Sequence, residues 1–149
     1  MRFNKSSVIS FARNATEAAL ALIAIFAFIK LGKRLTYIAL MAISQAALIS
    51  CVSMASCMFS FYRTLDDQPD TRKAARAAGR HFISAGLLSF AALMYSGGYY
   101  IFSSTPDEVG SPVRGIMAVF FGVTSVYILM GFYDLISALM ALSFKEREV

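Results

Sequence analysis

Four long hydrophobic runs, separated by short polar segments, form the main pattern along this chain. Each run exceeds the roughly 18 residues that indicate a membrane-spanning helix. The pattern predicts an all-α membrane protein, in which residues 1–149 form a single domain. Its four transmembrane helices are expected to pack as a compact antiparallel bundle with short loops. The predicted spans are residues 8–31, 35–62, 82–103 and 116–144.

The composition agrees with a membrane protein and offers little for catalysis. Of the 149 residues, 58% are hydrophobic and 15% are charged, whereas a soluble domain has about half and about a quarter. The longest connector, residues 63–81, is too short for a separate soluble domain. The sequence shows no Ser/His/Asp set, metal-ligand cluster or glycine-rich phosphate loop. We therefore expect no enzymatic activity and no cofactor.

The N-terminus begins like a signal peptide, with basic residues ahead of an apolar stretch. Arg13 and Glu17 interrupt that stretch, however, and no small-x-small cleavage site follows it. We expect the segment to be retained as the first transmembrane helix.

The lysines and arginines decide the predicted orientation, because cytoplasmic loops are enriched in them. An even number of spans places both termini on one side of the membrane. Of the 14 basic residues, that side collects the larger share, and the other side has only Lys30, Lys33, Arg34 and Arg114. Both termini are therefore predicted to face the cytoplasm, or the equivalent compartment of an organelle.

The 63–81 connector is strongly basic and then lies on the cytoplasmic side. Its Pro-Asp-Thr sequence at residues 69–71 predicts a helix start that continues into the third span. Basic residues four apart share a helical face, which predicts contact with anionic lipid or a partner protein; an ordinary positive-inside anchor is the alternative. Nucleic-acid binding is excluded because no aromatic platform accompanies the charges. The predicted contact residues are Arg72, Lys73, Arg76 and Arg80.

Small residues recur at helical spacing in three spans and predict the faces on which the helices pack. Apolar contact gains little over contact with lipid, so close approach at small residues marks helix–helix contacts. Gly97-Gly98 is open to three interpretations: a hinge, close packing or the end of a helix. The predicted packing residues are Ala42, Ala46, Ser50, Ser53 and Cys57 in the second span, Ala85, Ser89, Ala92 and Ser96 in the third, and Gly115, Ala118 and Gly122 in the fourth.

Both cysteines, Cys51 and Cys57, lie in the second span, six residues apart. At about 100° per residue they point in different directions, so they cannot bridge within that helix. We expect both to be buried thiols that act as small apolar fillers.

A few ionisable residues lie inside the predicted spans, where each costs roughly 3 kcal/mol or more unless it is paired or hydrated. Helix lengths place Glu17 and Asp134 at similar depths from the cytoplasmic side. Gln45 and His81 are weaker candidates, since a lone interfacial histidine is usually just solvated. The predicted polar site, for contact or for transport, consists of Arg13, Asn14, Glu17 and Asp134.

Two functions remain open from the sequence. The first is a small integral membrane subunit with a structural or assembly role in a larger complex. Its partners would be membrane lipids and either other integral membrane subunits or further copies of this chain. The alternative is a small oligomeric transporter or channel that uses the intramembrane acids Glu17 and Asp134. A span that begins near Ala15 would instead return Arg13 and Glu17 to headgroup level, and in this alternative Asp134 lies at the cytoplasmic interface of an over-long last helix.

Overall fold

The computed structural model describes residues 16, 18–26, 28–30, 36–65, 68–102 and 109–145, and nearly all of them are helical. Three of the described helices are long and apolar enough to cross a membrane, and a fourth apolar helix is shorter. The predicted first span therefore lies only partly within the described residues. The helices are α1 (Ala18–Lys30), α2 (Tyr37–Arg63), α3 (Pro69–Phe102) and α4 (Ser111–Lys145).

The bounds of α2 follow from local hydrogen bonds. The Thr36 side chain accepts a hydrogen bond from the Ala39 N–H at 3.3 Å, which satisfies one of the free donors at a helix N-terminus. At the other end, the Thr64 N–H donates to the Phe61 carbonyl at 3.0 Å. The helix then stops at Arg63, and α3 begins at Pro69.

Helix α3 begins at Pro69, as the Pro-Asp-Thr sequence predicts. The Arg72 N–H donates to the Gln68 carbonyl at 2.9 Å, and Asp70 in the first turn interacts favourably with the positive end of the helix dipole. Most of the basic 63–81 connector is thus helical and continuous with the apolar part of α3.

Helix α3 also continues through the glycine pair at residues 97–98 and ends at Phe102, so these glycines do not terminate it. Its 34 residues span about 51 Å, well beyond the roughly 30 Å of a hydrocarbon layer. One end of α3 must therefore extend past that layer if the helix crosses it.

Helix α3 lies between α2 and α4 and packs on both of them. The predicted packing face of α3 is confirmed, because its small residues are buried. Towards α2, Gly79 faces the ring of Phe59 and Gly86 faces Cys51. Towards α4, Phe82 lies against Gly131. The buried packing residues of the predicted face are Ala85, Ser89, Ala92 and Ser96.

The predicted packing face of α2 is wrong. All five of its small residues are exposed, and a different side of α2 is buried. Since α3 already supplies small residues at this interface, α2 can present larger side chains there. Both cysteines were expected to be buried, but only Cys51 is; Cys57 is exposed, and both thiols are free. The buried residues of α2 are Tyr37, Leu40, Ser44, Cys51, Ala55 and Met58.

Helix α1 packs against α4. Gly122 of α4 faces the Ile25 side chain and the Ala21 carbonyl, which confirms Gly122 as a packing residue. Ala118 is buried as well, but the prediction is wrong for Gly115, which is exposed and has no neighbour within 4 Å of a Cβ there. The ring of Phe28 stacks on that of Phe121, with centroids 4.7 Å apart. The absence of a side chain at Gly122 is what allows this close approach.

The buried serines satisfy their hydroxyl groups within their own helices. Ser44, Ser89 and Ser96 donate to the Leu40, Ala85 and Ala92 carbonyls, four residues earlier, at 2.8–2.9 Å. Such bonds to the preceding turn remove the need for a polar partner on a neighbouring helix. These serines therefore act at the interface by their small volume.

Candidate functional site

An ionisable pair joins α3 to α4 in the described part of the chain. His81 Nε2 lies 3.3 Å from Asp134 Oδ2, and the two side chains are 20% and 13% exposed. The expectation that His81 is merely solvated is therefore wrong. The partner could not be found from local spacing, because the two residues lie on different helices.

An aromatic ring adjoins this pair. Tyr127 lies seven residues before Asp134 on α4, which puts both on one face of the helix. Its ring centroid is 5.9 Å from that of His81, with the planes inclined at 35°. His81 is thus held between a carboxylate and an aromatic ring, and we call His81, Tyr127 and Asp134 the α3–α4 polar site.

Three residues near this pair, Phe82 on α3 and Gly131 and Phe132 on α4, explain why the two helices come close here. A Cβ atom at position 131 would lie 2.9–3.1 Å from ring carbons of Phe82, so only glycine leaves room for this ring. Phe82 also meets Phe132 edge-on, with centroids 5.5 Å apart. Because His81 and Phe82 are consecutive, the position of Phe82 in the interface helps to hold His81 opposite Asp134.

Three of the four residues predicted to form an intramembrane site, Arg13, Asn14 and Glu17, lie outside the described residues. Their proximity to Asp134 stays a prediction. Asp134 itself is mostly buried at the α3–α4 interface, consistent with a polar contact between helices.

The contact is compatible with either a charged or a neutral His81. When His81 is protonated the contact is an ion pair, and a neutral imidazole can still present one N–H to the carboxylate. Within the described residues, no group of three His, Cys, Asp or Glu side chains could hold a metal ion.

Two of the four predicted basic contact residues interact with neighbouring side chains, and the other two are exposed without a salt bridge among the described residues. The Arg72 guanidinium lies over the ring of Tyr62, 4.5 Å from its centroid, so this arginine is held against α2. Lys73 lies 3.5 Å from Asp70, with both side chains strongly exposed. Arg76 and Arg80 are exposed, and neither forms a salt bridge within the described residues.

The exposed side of α2 carries an unusual polar residue. Gln45 is exposed within an apolar helix long enough to cross a membrane, and an amide that faces lipid loses its hydrogen bonds to water. It lies beside the small residues that sequence analysis assigned to packing. We call this surface the α2 small-residue face, comprising Ala42, Gln45, Ala46, Ser50, Ser53 and Cys57.

Comparison of the chain with protein-family models, with curated proteins and with solved structures gives no match.

Proposed function

We propose that this protein is a small, non-catalytic integral membrane subunit with a structural or assembly role in a larger membrane complex. Its four helices would form an antiparallel bundle with both termini in the cytoplasm. The observation that carries this proposal is the exposed α2 small-residue face with Gln45 at its edge.

Small residues on an exposed helix face favour a protein partner. In lipid, helices associate mainly through close van der Waals contact and interhelical hydrogen bonds, and both are promoted by small and polar residues. The α2 small-residue face offers the small side chains of Ala46 and Ser50 and the amide of Gln45, all exposed. A partner helix would pack on the small side chains and satisfy the amide.

Bulky substitutions on this face test the proposal. Ala46→Leu and Ser50→Leu should release the partner, because the added side chains prevent close approach. Ala141→Leu is the matched control, since Ala141 is equally exposed on α4. Native mass spectrometry after extraction in a gentle detergent measures the assembly. Recovery of the wild-type chain only as an isolated monomer, or an intact complex in both variants, would overturn the proposal.

The alternative function is a small oligomeric transporter or channel that uses Glu17 and Asp134. The observation that favours it is the contact of Asp134 with His81, because a carboxylate and an imidazole together can take up and release a proton. Asp134 lies about 16 Å of helix from the end of α4 at Lys145.

Flux into liposomes that contain the purified chain tests this alternative. Proton-driven or passive flux should be lost in Asp134→Asn and Glu17→Gln, because an amide cannot take up and release a proton as a carboxyl group does. Ser137→Ala, one turn from Asp134 on α4, is the control. Absence of flux in the wild type, or unchanged flux in both acid variants, rules the alternative out.

A further inference from the structure

One face of α3 changes from cationic to apolar within a single turn. The exposed residues on this face recur every three or four positions and run nearly parallel to the helix axis. Leu87, in the middle of the apolar part, is 65% exposed. The face consists of Lys73, Arg76, Arg80, Ile83, Leu87, Phe90 and Met94, and we call it the α3 polarity face.

We propose that the α3 polarity face binds one anionic phospholipid, with its phosphate at Arg76 and Arg80 and an acyl chain along Ile83 to Met94. This surface is separate from the α2 small-residue face and from the α3–α4 polar site. The arginines present charge to a headgroup, and the apolar residues present a continuous track to a chain.

The dimensions fit a lipid in one leaflet. The track from Ile83 to Met94 is about 16 Å long, and half of a hydrocarbon layer is about 15 Å. Arg80 then lies at the boundary of the hydrocarbon, and Arg76 lies about 6 Å farther out, at the depth of the headgroups. One turn beyond Met94, the glycines at 97 and 98 interrupt the track of large apolar side chains near the middle of the bilayer, and Ile101 resumes it farther along the same face.

The charges on this face are available to a headgroup. Arg76 and Arg80 are exposed without a salt bridge among the described residues, and guanidinium groups bind phosphate oxygens in a bidentate manner. Arg72 belongs to a different environment, because its guanidinium stacks on Tyr62. Lys73 is close to Asp70, which offsets part of its charge. The two arginines are therefore the selective part of the site.

Lipid titration of the full-length chain, followed by native mass spectrometry, tests the proposal with phosphatidylglycerol and phosphatidylcholine as probes. Each basic residue near an anionic surface strengthens binding about fivefold, so two give about 30-fold. We expect phosphatidylglycerol to bind roughly that much more tightly than phosphatidylcholine. Arg76→Gln with Arg80→Gln should abolish this preference.

The control variant, Lys30→Gln with Arg63→Gln, also removes two positive charges, but from the exposed ends of α1 and α2. The preference for phosphatidylglycerol should persist in this control. Equal binding of the two lipids by the wild type, or an equal loss in the control, would overturn the proposal. So would displacement of the lipid by inorganic phosphate, because the site would then recognise free phosphate. Circular dichroism establishes that each variant keeps its helices.

Discussion

At the residue scale, the contact between His81 and Asp134 places a polar interaction where α3 and α4 are otherwise joined by apolar packing. The atoms are 3.3 Å apart, slightly beyond the common range of about 2.7–3.2 Å for hydrogen bonds. The pair contributes to stability because it is mostly buried: if one partner is removed, water cannot fully replace the lost contact of the other.

Replacing His81 with leucine is expected to lower the free energy of unfolding by about 1–2 kcal/mol, because the Asp134 carboxylate loses this contact. His81→Gln keeps an N–H donor at a similar reach and should recover most of that loss. Unfolding in mixed detergent micelles, followed by circular dichroism, measures both values. A leucine variant as stable as the wild type would show that the contact contributes nothing.

At the element scale, α3 organises the described helices because it packs on both α2 and α4. On its α4 side the fit depends on Gly131, where the Phe82 ring occupies the space that a Cβ would need. Phe82 is itself only 1% exposed, so it has little room to move aside. This contact also fixes the neighbouring His81.

Gly131→Ala is expected to destabilise the protein by about 1–3 kcal/mol, as overpacking of a filled interface usually does. Gly115→Ala on the same helix is the matched control, because a Cβ there meets nothing within 4 Å. The control should be neutral or stabilise by up to about 1 kcal/mol through helix propensity. Thermal denaturation midpoints in one detergent provide the comparison. A Gly131→Ala midpoint equal to that of Gly115→Ala would contradict the packing argument.

Local sequence signals predicted α3 well and α2 poorly. The start of α3 at Pro69 and its small packing face depend on residues within one helix, so spacing reveals them. The buried side of α2 depends on what α3 presents to it, and a stripe of small residues does not say whether its partner is inside the chain. His81 was missed for a similar reason, since its contact residue belongs to α4.

At the scale of the whole molecule, large apolar side chains are exposed on all four described helices. Such a surface requires lipid or protein around it. The apolar segment Pro112–Ser143 of α4 has 32 residues and spans about 48 Å, which exceeds a hydrocarbon layer of about 30 Å. A helix of that length is accommodated by tilting or by a locally thicker bilayer.

If another subunit covers the α2 small-residue face, Cys57 should be protected in native membranes. A membrane-permeant maleimide is expected to label Cys57 about tenfold more slowly there than in the isolated chain, because labelling must wait for the partner to separate. Buried Cys51 is the internal control and should label slowly in both states. Peptide mass spectrometry distinguishes the two thiols. Equal labelling of Cys57 in both states would show that the face is uncovered.

The serines on the buried face of α3 have a consequence for which substitutions the interface accepts. The hydroxyl groups of Ser89 and Ser96 donate their hydrogen bonds to carbonyl groups of their own helix. Alanine can therefore replace either serine without leaving a donor or acceptor on a neighbouring helix unsatisfied. A larger residue such as valine or leucine would force the helices apart. In a saturation-mutagenesis selection for folded protein, these positions should therefore accept glycine, alanine and serine together and reject larger residues.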